Sequence, residues 1–303
     1  MPRCLNTVSL VLFALFLSGC ERNQQSPGPK YAPAPLSQTA LRYHLAVHPL
    51  HNPAKLQQCY QPLVEYLSRE LPSFNLMLEP SRDYQNFEEK FRARQTEMLL
   101  PNPWQSLEAM KVGYTIIAMA GTAEDFKGIF LVRRDSAINE PSDLKGKSVS
   151  YPSPTALAAC IMPQYFLHTH GIKVTTEIDN RYVGSQESSI MNAYLKQTAA
   201  GVTWPPPWRA FQKDFPKEAA DLQVIWETPS LINNSVMVRD DVSSLVREQL
   251  QRSLLHLHES QEGRDILAGM ETDRFYPASD ADYEVVRQFV ERFEKEVRPV
   301  EQK

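Results

Sequence analysis

Hydroxyl-bearing residues stand at a predicted strand-to-helix junction in VSYPSPTALAACIMPQYF, residues 149–166. Tyr151, Ser153 and Thr155 follow an apolar run and precede a helical pattern. The first turn of a helix has about four backbone N–H groups without partners and a partial positive charge, so such a junction can hold an anion. Ser and Thr ahead of a helix also serve as ordinary N-caps, and a Tyr at a strand end also packs in a core. The residues alone leave both interpretations open.

Three further junctions join a strand to a helix in the same way. They lie at residues 48–52 (HPLHN), 101–104 (PNPW) and 184–187 (GSQE), and a rigid PPPW exit follows the strand that ends at residue 204. A loop His is commonly solvated and a Trp commonly belongs to a core, whereas Glu187 would disfavour an anion unless it turned away. These junctions add His48, His51, Asn102, Trp104, Ser185, Gln186, Glu187 and Trp204 to the candidate ligand-binding residues.

Length and charge restrict the class of function. A chain of 303 residues is long enough for two ordinary domains, and its net charge of −4 has acids and bases interspersed. No basic stripe is present, so we expect no nucleic-acid partner. The sequence has no G-x-S-x-G, P-loop or H-E-x-x-H motif and no paired Cys and His. We expect no catalytic residues, no metal and no cofactor.

The N-terminal segment predicts export and a lipid anchor. Arg3 precedes a short apolar run, which is too short to span a bilayer. The run ends in Leu17-Ser18-Gly19-Cys20, which resembles a bacterial lipobox in which the cysteine is lipidated. We expect a signal peptide at 1–19, and a lipid-anchored flexible linker at 20–40 that is polar and rich in Pro. The protein would then lie on the periplasmic side of a bacterial membrane.

Two cysteines remain beyond the predicted leader and lipidation site. Cys59 and Cys160 each fall on the apolar stripe of a different predicted helix. A disulfide is possible in an oxidising compartment, but the pattern favours two buried free thiols.

Short apolar strands alternate with amphipathic helices from residue 41 onward, which predicts an α/β fold. A first series runs through LRYHLAV, FNLML and EMLL, and a second begins with GIFLVRR at residue 128. The C-terminal part, from Val242 onward, predicts long charged helices.

Five segments stand in a distinctive order and spacing: QPLVEYL, LLPNPWQSL, GIFLVRRDSAINEPSDLKGKSVSYPSP, YVGSQESSIMNAYLKQTAAGVTW and TPSLINNSVMVR. Through these segments, residues 41–265 resemble the periplasmic solute-binding proteins of ABC transporters for phosphonate, phosphite and phosphate, the PhnD-like group. The strongest part is LVRRDSAINEPSDLKGKSVSY, which resembles the family's crossing strand and the turn after it.

The resemblance implies a type II periplasmic-binding-protein clamshell, in which each lobe is a mixed sheet flanked by helices. Lobe one would comprise 41–122 and 230–303, and lobe two 123–229. The two hinge crossings would lie near 120–128 and 226–236. The ligand would lie in the cleft between the lobes, where the strand-to-helix junctions meet.

Two departures from the family pattern bear on the ligand. Phosphonate-binding members carry Ser and Thr at the start of the lobe-two helix, where this sequence has Ala156, Leu157 and Ala158. Ala156 therefore joins the candidate contacts. Ala199 stands where the family often has an acid that meets an amino group of the ligand. These departures favour a small oxyanion, or a ligand outside the usual set of the family, over an aminoalkylphosphonate.

The expected function is capture of phosphate, phosphite or a simple phosphonate for delivery to an ABC permease, by a monomer held at the membrane by its lipid. Two alternatives stay open from the sequence. One is a ligand-binding subunit that reports to a membrane histidine kinase, and the other is an exported enzyme.

Overall fold

The computed structural model of the protein describes residues 41–71 and 74–301. The predicted leader, Cys20 and the linker up to residue 40 lie outside the described residues. Apolar and aromatic runs form eleven strands in the described part. The strands are Leu41–Val47 (β1), Phe74–Glu79 (β2), Met98–Leu100 (β3), Tyr114–Ala120 (β4), Ile129–Arg133 (β5), Ser148–Tyr151 (β6), Asp179–Tyr182 (β7), Ala200–Thr203 (β8), Leu222–Glu227 (β9), Ser235–Arg239 (β10) and Phe275–Tyr276 (β11).

Helices follow most strands, and several begin at an Asn, Asp or Ser whose side chain accepts a hydrogen bond from a first-turn N–H. The α-helices are Pro53–Glu70 (α1), Tyr84–Arg92 (α2), Pro103–Met110 (α3), Met162–Thr169 (α4), Gln186–Tyr194 (α5), Pro205–Asp214 (α6), Pro216–Ala220 (α7), Ser244–His256 (α8), Gln261–Gly269 (α9) and Glu284–Glu296 (α10). A π-helical turn, Leu157–Ile161, runs directly into α4. Within residues 41–71 and 74–301, no helix is both long and apolar enough to span a membrane.

The strands form two mixed sheets. The first has the order β11-β4-β10-β3-β1-β2, and the second has the order β7-β6-β8-β5-β9. In the first sheet β1 pairs in parallel with β2 and β3, whereas β10 is antiparallel to both β3 and β4. In the second sheet β6 is parallel to β7 and β8, whereas β5 is antiparallel to β8 and β9. We call the first sheet with its helices lobe one, and the second lobe two.

The chain passes between the sheets twice. The first passage, 121–128, joins β4 to β5, and the second, 228–234, joins β9 to β10. The two segments run side by side, since the Thr228 N–H donates to the Gly128 carbonyl at 2.9 Å and the Leu231 N–H donates to the Phe126 carbonyl at 2.9 Å. They overlap the crossings predicted near 120–128 and 226–236.

The C-terminal residues contact both lobes. Helix α10 packs on α3 of lobe one. The Tyr165 hydroxyl of α4 donates to Glu296 at 3.0 Å, and its ring lies 5.4 Å from the Phe289 ring. Beyond α10, Arg298 donates to Gln164 Oε1 at 2.8 Å and to the Pro154 carbonyl at 3.1 Å. The assignment of residues 230–303 to lobe one alone therefore stays a prediction.

Buried apolar side chains hold the lobes together. One cluster belongs to lobe one and a smaller one belongs to lobe two. A third cluster spans both lobes and includes Phe91 and Trp104 of lobe one and Phe130 and Tyr151 of lobe two. Burial of such side chains is the dominant favourable contribution to folding, at roughly 25 cal/mol per Å² of apolar area. Cys59 and Cys160 are both buried free thiols.

The alternation of strands and helices agrees with the α/β prediction. Two features differ from it. The short strand β11 lies inside the region predicted to be helical, and it adds to the edge of the first sheet beside β4. The start of the helix after β6 is a π-turn rather than a regular helix. Pro163 contributes to this irregularity because it has no N–H for the helical ladder.

Candidate ligand-binding cleft

A small cavity lies between the lobes, with a volume of about 10 Å³. This is close to the lower limit for one water molecule, so a tetrahedral oxyanion needs the walls to move apart. The cavity is lined by His48, Tyr84, Asn102, Phe126, Ala156, Leu157, Ala158, Ala159, Gln186, Trp204 and Asn234. None of these lining residues is Asp, Glu, Lys or Arg.

The topology places these residues together. His48 and Asn102 follow the carboxyl ends of the parallel strands β1 and β3, and the π-turn and Trp204 follow those of β6 and β8. Asn234 precedes β10, which runs antiparallel to β3 and therefore starts at the same edge. Ligands of open α/β sheets bind at the carboxyl ends of the strands. Larger depressions of about 470 and 480 Å³ lie elsewhere, at the opposite ends of β6 and β8 and between α1 and α9.

The π-turn supplies unused hydrogen-bond donors. Its characteristic bond runs from the Ile161 N–H to the Ala156 carbonyl at 3.1 Å, and Ala156 provides no side-chain cap. Within the described part of the chain, the N–H groups of Leu157, Ala158 and Ala159 have no acceptor. All three residues line the cavity. The turn is therefore able to donate several hydrogen bonds to one anion.

The other three junctions use part of their N–H groups internally. Asn52 accepts from the Lys55 N–H at 3.0 Å, Asn102 from the Gln105 N–H at 3.1 Å, and Ser185 from the Ser188 N–H at 3.1 Å. The prolines at the first positions of α1 and α3 have no N–H to offer. The junction after β6 therefore keeps the most free donors.

Ser153 and Thr155 neither cap the helix nor line the cavity. Their hydroxyls lie 3.0 Å apart, and the Thr155 hydroxyl donates to Glu88 Oε1 of lobe one at 2.6 Å. Asn102 Nδ2 donates across the same boundary to the Thr155 carbonyl at 3.2 Å. Burial raises the pKa of Glu88, while the hydrogen bonds from Thr155 and Gln105 favour its ionised form. In this structure Thr155 therefore makes interlobe contacts, whereas the Ser153 side chain bonds only to Thr155.

Tyr151 and Trp104 are also placed outside the cavity lining. Tyr151 is fully buried beside Tyr182, with ring centroids 6.1 Å apart, and its hydroxyl has no hydrogen-bond partner. Burial raises the pKa of this hydroxyl. Trp104 is buried in the core cluster and faces the groove between α3 and α10. Both side chains belong to the buried apolar cluster that spans the two lobes.

The remaining predicted residues form two groups, those that line the cavity and those that do not. His51 is half-buried, Ser185 caps α5, and Glu187 accepts from Asn52 Nδ2 at 3.4 Å. None of these three lines the cavity, whereas the predicted residues His48, Asn102, Ala156, Gln186 and Trp204 do. Their contact with a ligand stays a prediction. Sequence reasoning missed Tyr84, Phe126, Leu157, Ala158, Ala159 and Asn234 as lining residues.

His48 is a neutral donor and acceptor in the wall. Its Nδ1 lies 3.0 Å from the Leu100 carbonyl, and burial lowers its pKa to about 4. Opposite it, Gln186 Nε2 donates to the Tyr84 hydroxyl at 3.1 Å and Gln186 Oε1 accepts from Thr203 at 2.8 Å. The described residues contain no group of three His, Cys, Asp or Glu side chains placed to hold a metal.

Ion pairs join the lobes around the cavity. Arg209 of α6 pairs with Asp125 of the first passage at 2.9 Å and with Glu271 of lobe one at 3.2 Å. Lys55 of α1 pairs with Asp214 of α6 at 2.9 Å. These contacts favour the closed arrangement of the lobes.

Two mixed α/β sheets, two crossings and a cavity at facing strand ends define a solute-binding protein of the periplasmic type. The chain belongs to the family described as ABC transporter, phosphonate, periplasmic substrate-binding protein, whose model matches residues 45–283. The members are substrate-binding proteins and not enzymes. The resemblance drawn from the sequence motifs is confirmed.

Individual relatives are distant in sequence. A probable ABC transporter phosphite binding protein, PhnD1 of Prochlorococcus marinus (strain MIT 9301), is 22% identical over 193 residues, covering 59% of this chain and 65% of that protein. The crystal structure of PhnD1 in complex with methylphosphonate has a TM-score of 0.77 at 19% identity, covering 84% of this chain and 98% of that one.

A second solved structure agrees with the first. The binding protein component of an ABC phosphonate transporter from Pseudomonas aeruginosa has a TM-score of 0.78 at 16% identity, and covers 84% of this chain and 87% of that chain. The predicted two-lobed fold class is confirmed by these structures.

Proposed function

We propose that the protein captures a small oxyanion in its cleft and delivers it to an ABC permease outside the cytoplasm, acting as a monomer. Phosphate, phosphite and simple alkylphosphonates are the ligands we favour. The main support is the uncapped turn at Leu157, Ala158 and Ala159: these residues line an interlobe cavity, and their N–H groups have no acceptor within the described residues. Charge-assisted hydrogen bonds from such donors contribute roughly 1.5 to 3 kcal/mol each, so no Lys or Arg is required.

An aminoalkylphosphonate fits this cleft less well. Its ammonium group needs a carboxylate partner, and no Asp or Glu lines the cavity. By the resemblance, Ala199 stands where the family often has an acid, and it lies directly before β8 and not among the residues that line the cavity. An unpaired buried ammonium is strongly disfavoured.

A thermal-shift panel tests the ligand class. Phosphate, phosphite, methylphosphonate, aminoethylphosphonate and sulfate are compared with an amino acid and an organic cation. A ligand that binds only the folded protein raises the free energy of unfolding by about 2.7 kcal/mol at a hundredfold excess over its Kd. We expect a shift with an oxyanion without an amino group. A shift with only the amino acid or the cation would overturn the proposal.

We also propose a lipid anchor at Cys20. Its support is the sequence Leu17-Ser18-Gly19-Cys20, followed by a polar spacer that would hold the binding domain away from the membrane. Detergent-phase partitioning of the full chain expressed in bacteria provides the test. The wild type should enter the detergent phase and Cys20→Ala should stay in the aqueous phase, whereas equal partitioning would exclude the anchor.

A further inference from the structure

Arg298 connects the C-terminal segment, residues 297–301, to the π-turn. Its Nη2 donates to the Pro154 carbonyl at 3.1 Å and to Cys160 Sγ at 3.6 Å, and its Nε donates to Gln164 Oε1 at 2.8 Å. Pro154 precedes the turn, Cys160 belongs to it, and Gln164 lies in the first turn of α4. One guanidinium group therefore bonds to the chain before, within and after the turn whose N–H groups have no acceptor within the described residues.

All five N–H groups of this guanidinium have acceptors. In addition to the three bonds above, Nη1 donates to the Pro299 carbonyl at 2.8 Å and to the Val300 carbonyl at 3.1 Å. Its Cζ lies 5.2 Å from the centroid of the Phe293 ring, and both Phe293 and Val300 are buried. A guanidinium with every donor in use is held in one orientation. The ammonium of a Lys has three donors and no planar fork, so it cannot reproduce these bonds.

Within the described part of the chain, no carboxylate pairs with Arg298. Its five acceptors are four carbonyl or amide oxygens and one thiol sulfur. The acids of the same region contact other groups, namely Glu294, Glu296 and Glu301. The Arg298 side chain is half-buried, so solvent screens its charge only in part. A positive charge beside the π-turn is therefore available to attract an anion.

We infer that Arg298 is a positioning residue for anion binding. Its guanidinium fixes the conformation of the π-turn, and its charge stabilises an anion held by the N–H groups of Leu157, Ala158 and Ala159. Arg298 is not among the residues that line the cavity, and neither are the three residues through which it bonds to the turn and α4. It therefore acts through the turn and supplies the cation that the lining lacks. This inference rests on the proposed function and adds a residue to its machinery.

Two effects contribute, and they need different properties of Arg298. A turn that is already held in one conformation loses less conformational entropy when it binds a ligand. This first effect needs the planar fork of the guanidinium. The second effect is the Coulomb attraction between the guanidinium and the anion, which acts without contact and is twice as large for a dianion as for a monoanion. This second effect needs only the charge.

Arg298→Met and Arg298→Lys separate these two effects. Calorimetric titration with inorganic phosphate and with methylphosphonate, at about pH 5.5 and about pH 8.5, compares a mainly monoanionic with a mainly dianionic ligand. Arg298→Met should bind the dianion at least about 10-fold more weakly than the wild type, with a smaller loss for the monoanion. Arg298→Lys keeps the charge, so its loss should be similar for both forms. Equal affinities of the wild type and Arg298→Met would overturn the inference.

A purely structural role of Arg298 predicts a different result. Arg298→Met would then melt at a lower temperature, yet its folded form would bind the monoanion and the dianion with wild-type affinity. Arg287→Met is the matched control. It removes a charge from α10, where Arg287 pairs with Glu284 at 3.2 Å, and should change either affinity less than about twofold. An equal loss in Arg287→Met would assign the effect to net charge and contradict a specific role of Arg298.

Amide NMR spectra provide a second measurement that does not depend on the stability of Arg298→Met. In Arg298→Lys without ligand, the amide signals of Leu157, Ala158 and Ala159 should shift from their wild-type positions, because the fork that holds the turn is lost. Unshifted signals would contradict the positioning role. If the wild type binds neither phosphate nor methylphosphonate, the proposed function fails and this inference with it. If the wild type binds them and the Arg298 variants bind equally well, the function stands and the role of Arg298 is wrong.

Discussion

At the scale of single residues, the cleft uses neutral side chains where a charged ligand would be expected to meet cations. His48 shows how the fold enforces this neutrality. The side chain is 2% exposed, and burial lowers its pKa from 6.5 to about 4. The neutral imidazole therefore keeps a lone pair on Nε2, because its Nδ1 makes the hydrogen bond to the Leu100 carbonyl.

This burial makes the stability of the protein depend on pH. Between about pH 4 and 6.5 an unfolded His48 binds a proton that the folded one does not, so the free energy of unfolding rises with pH across this window. The contribution over the full window is at most about 3 kcal/mol. Urea unfolding at several pH values should show a smaller slope in His48→Asn than in the wild type. His256→Asn, at an exposed site, is the control, and coincident slopes for wild type and His48→Asn would contradict the burial.

Thr155 and Glu88 form a bond that joins the lobes, and its strength is measurable. Thr155→Val keeps the shape and removes the hydroxyl that donates to the buried carboxyl group at 2.6 Å. We expect a loss of about 1 to 3 kcal/mol in stability. Ser153→Ala should lose less, because Ser153 bonds only within its own segment. A double-mutant cycle with Glu88→Gln should show coupling, and strict additivity would refute a direct interaction.

At the scale of elements, the π-turn depends on a close approach of the first passage. A Cβ atom on Gly128 would lie 2.4 Å from the Ala158 carbonyl oxygen and 2.5 Å from Pro163 Cγ. Gly128→Ala should therefore displace the turn, lower stability by about 1 to 3 kcal/mol and weaken oxyanion binding. Gly269→Ala has open space around its Cβ and serves as the control. Unchanged affinity in Gly128→Ala would show that the position of the turn does not control binding.

The elements themselves follow from the sequence more readily than the site does. Alternating strands and helices and the junctions at 48–52 and 101–104 are local patterns, and local patterns are readable from one chain. The two passages were expected from the family resemblance. The roles of Ser153 and Thr155 were not readable, because their partner Glu88 is 67 positions from Thr155 and meets it only after the lobes close. Asn234 was missed because a single Asn before an apolar strand has no distinctive pattern.

At the scale of the whole molecule, the small volume of the cavity implies that ligand exchange requires opening. Arg209 contacts the first passage and lobe one together, so it biases the equilibrium toward the closed arrangement.

Arg209→Gln should therefore favour opening. Small-angle scattering should give a larger radius of gyration than for the wild type, and the apparent oxyanion affinity should fall in proportion to the closed fraction. A saturating oxyanion should reduce the radius in both proteins. Arg134→Gln removes a contact inside lobe two and should change neither quantity. A radius that is the same for all proteins with and without oxyanion would indicate a rigid molecule.

The C-terminal segment has a mechanical consequence for this motion. Two lobes that are joined by two chain passages can rotate about the axis that runs through both passages. A third connection between the lobes prevents this rotation unless it lies on the same axis. Arg298 is such an attachment, since it bonds to Gln164 and to the Pro154 carbonyl, two residues ahead of Ala156. Opening of the lobes must break or carry along these bonds, so the residence time of a ligand includes their free energy as well as that of the contacts it makes itself.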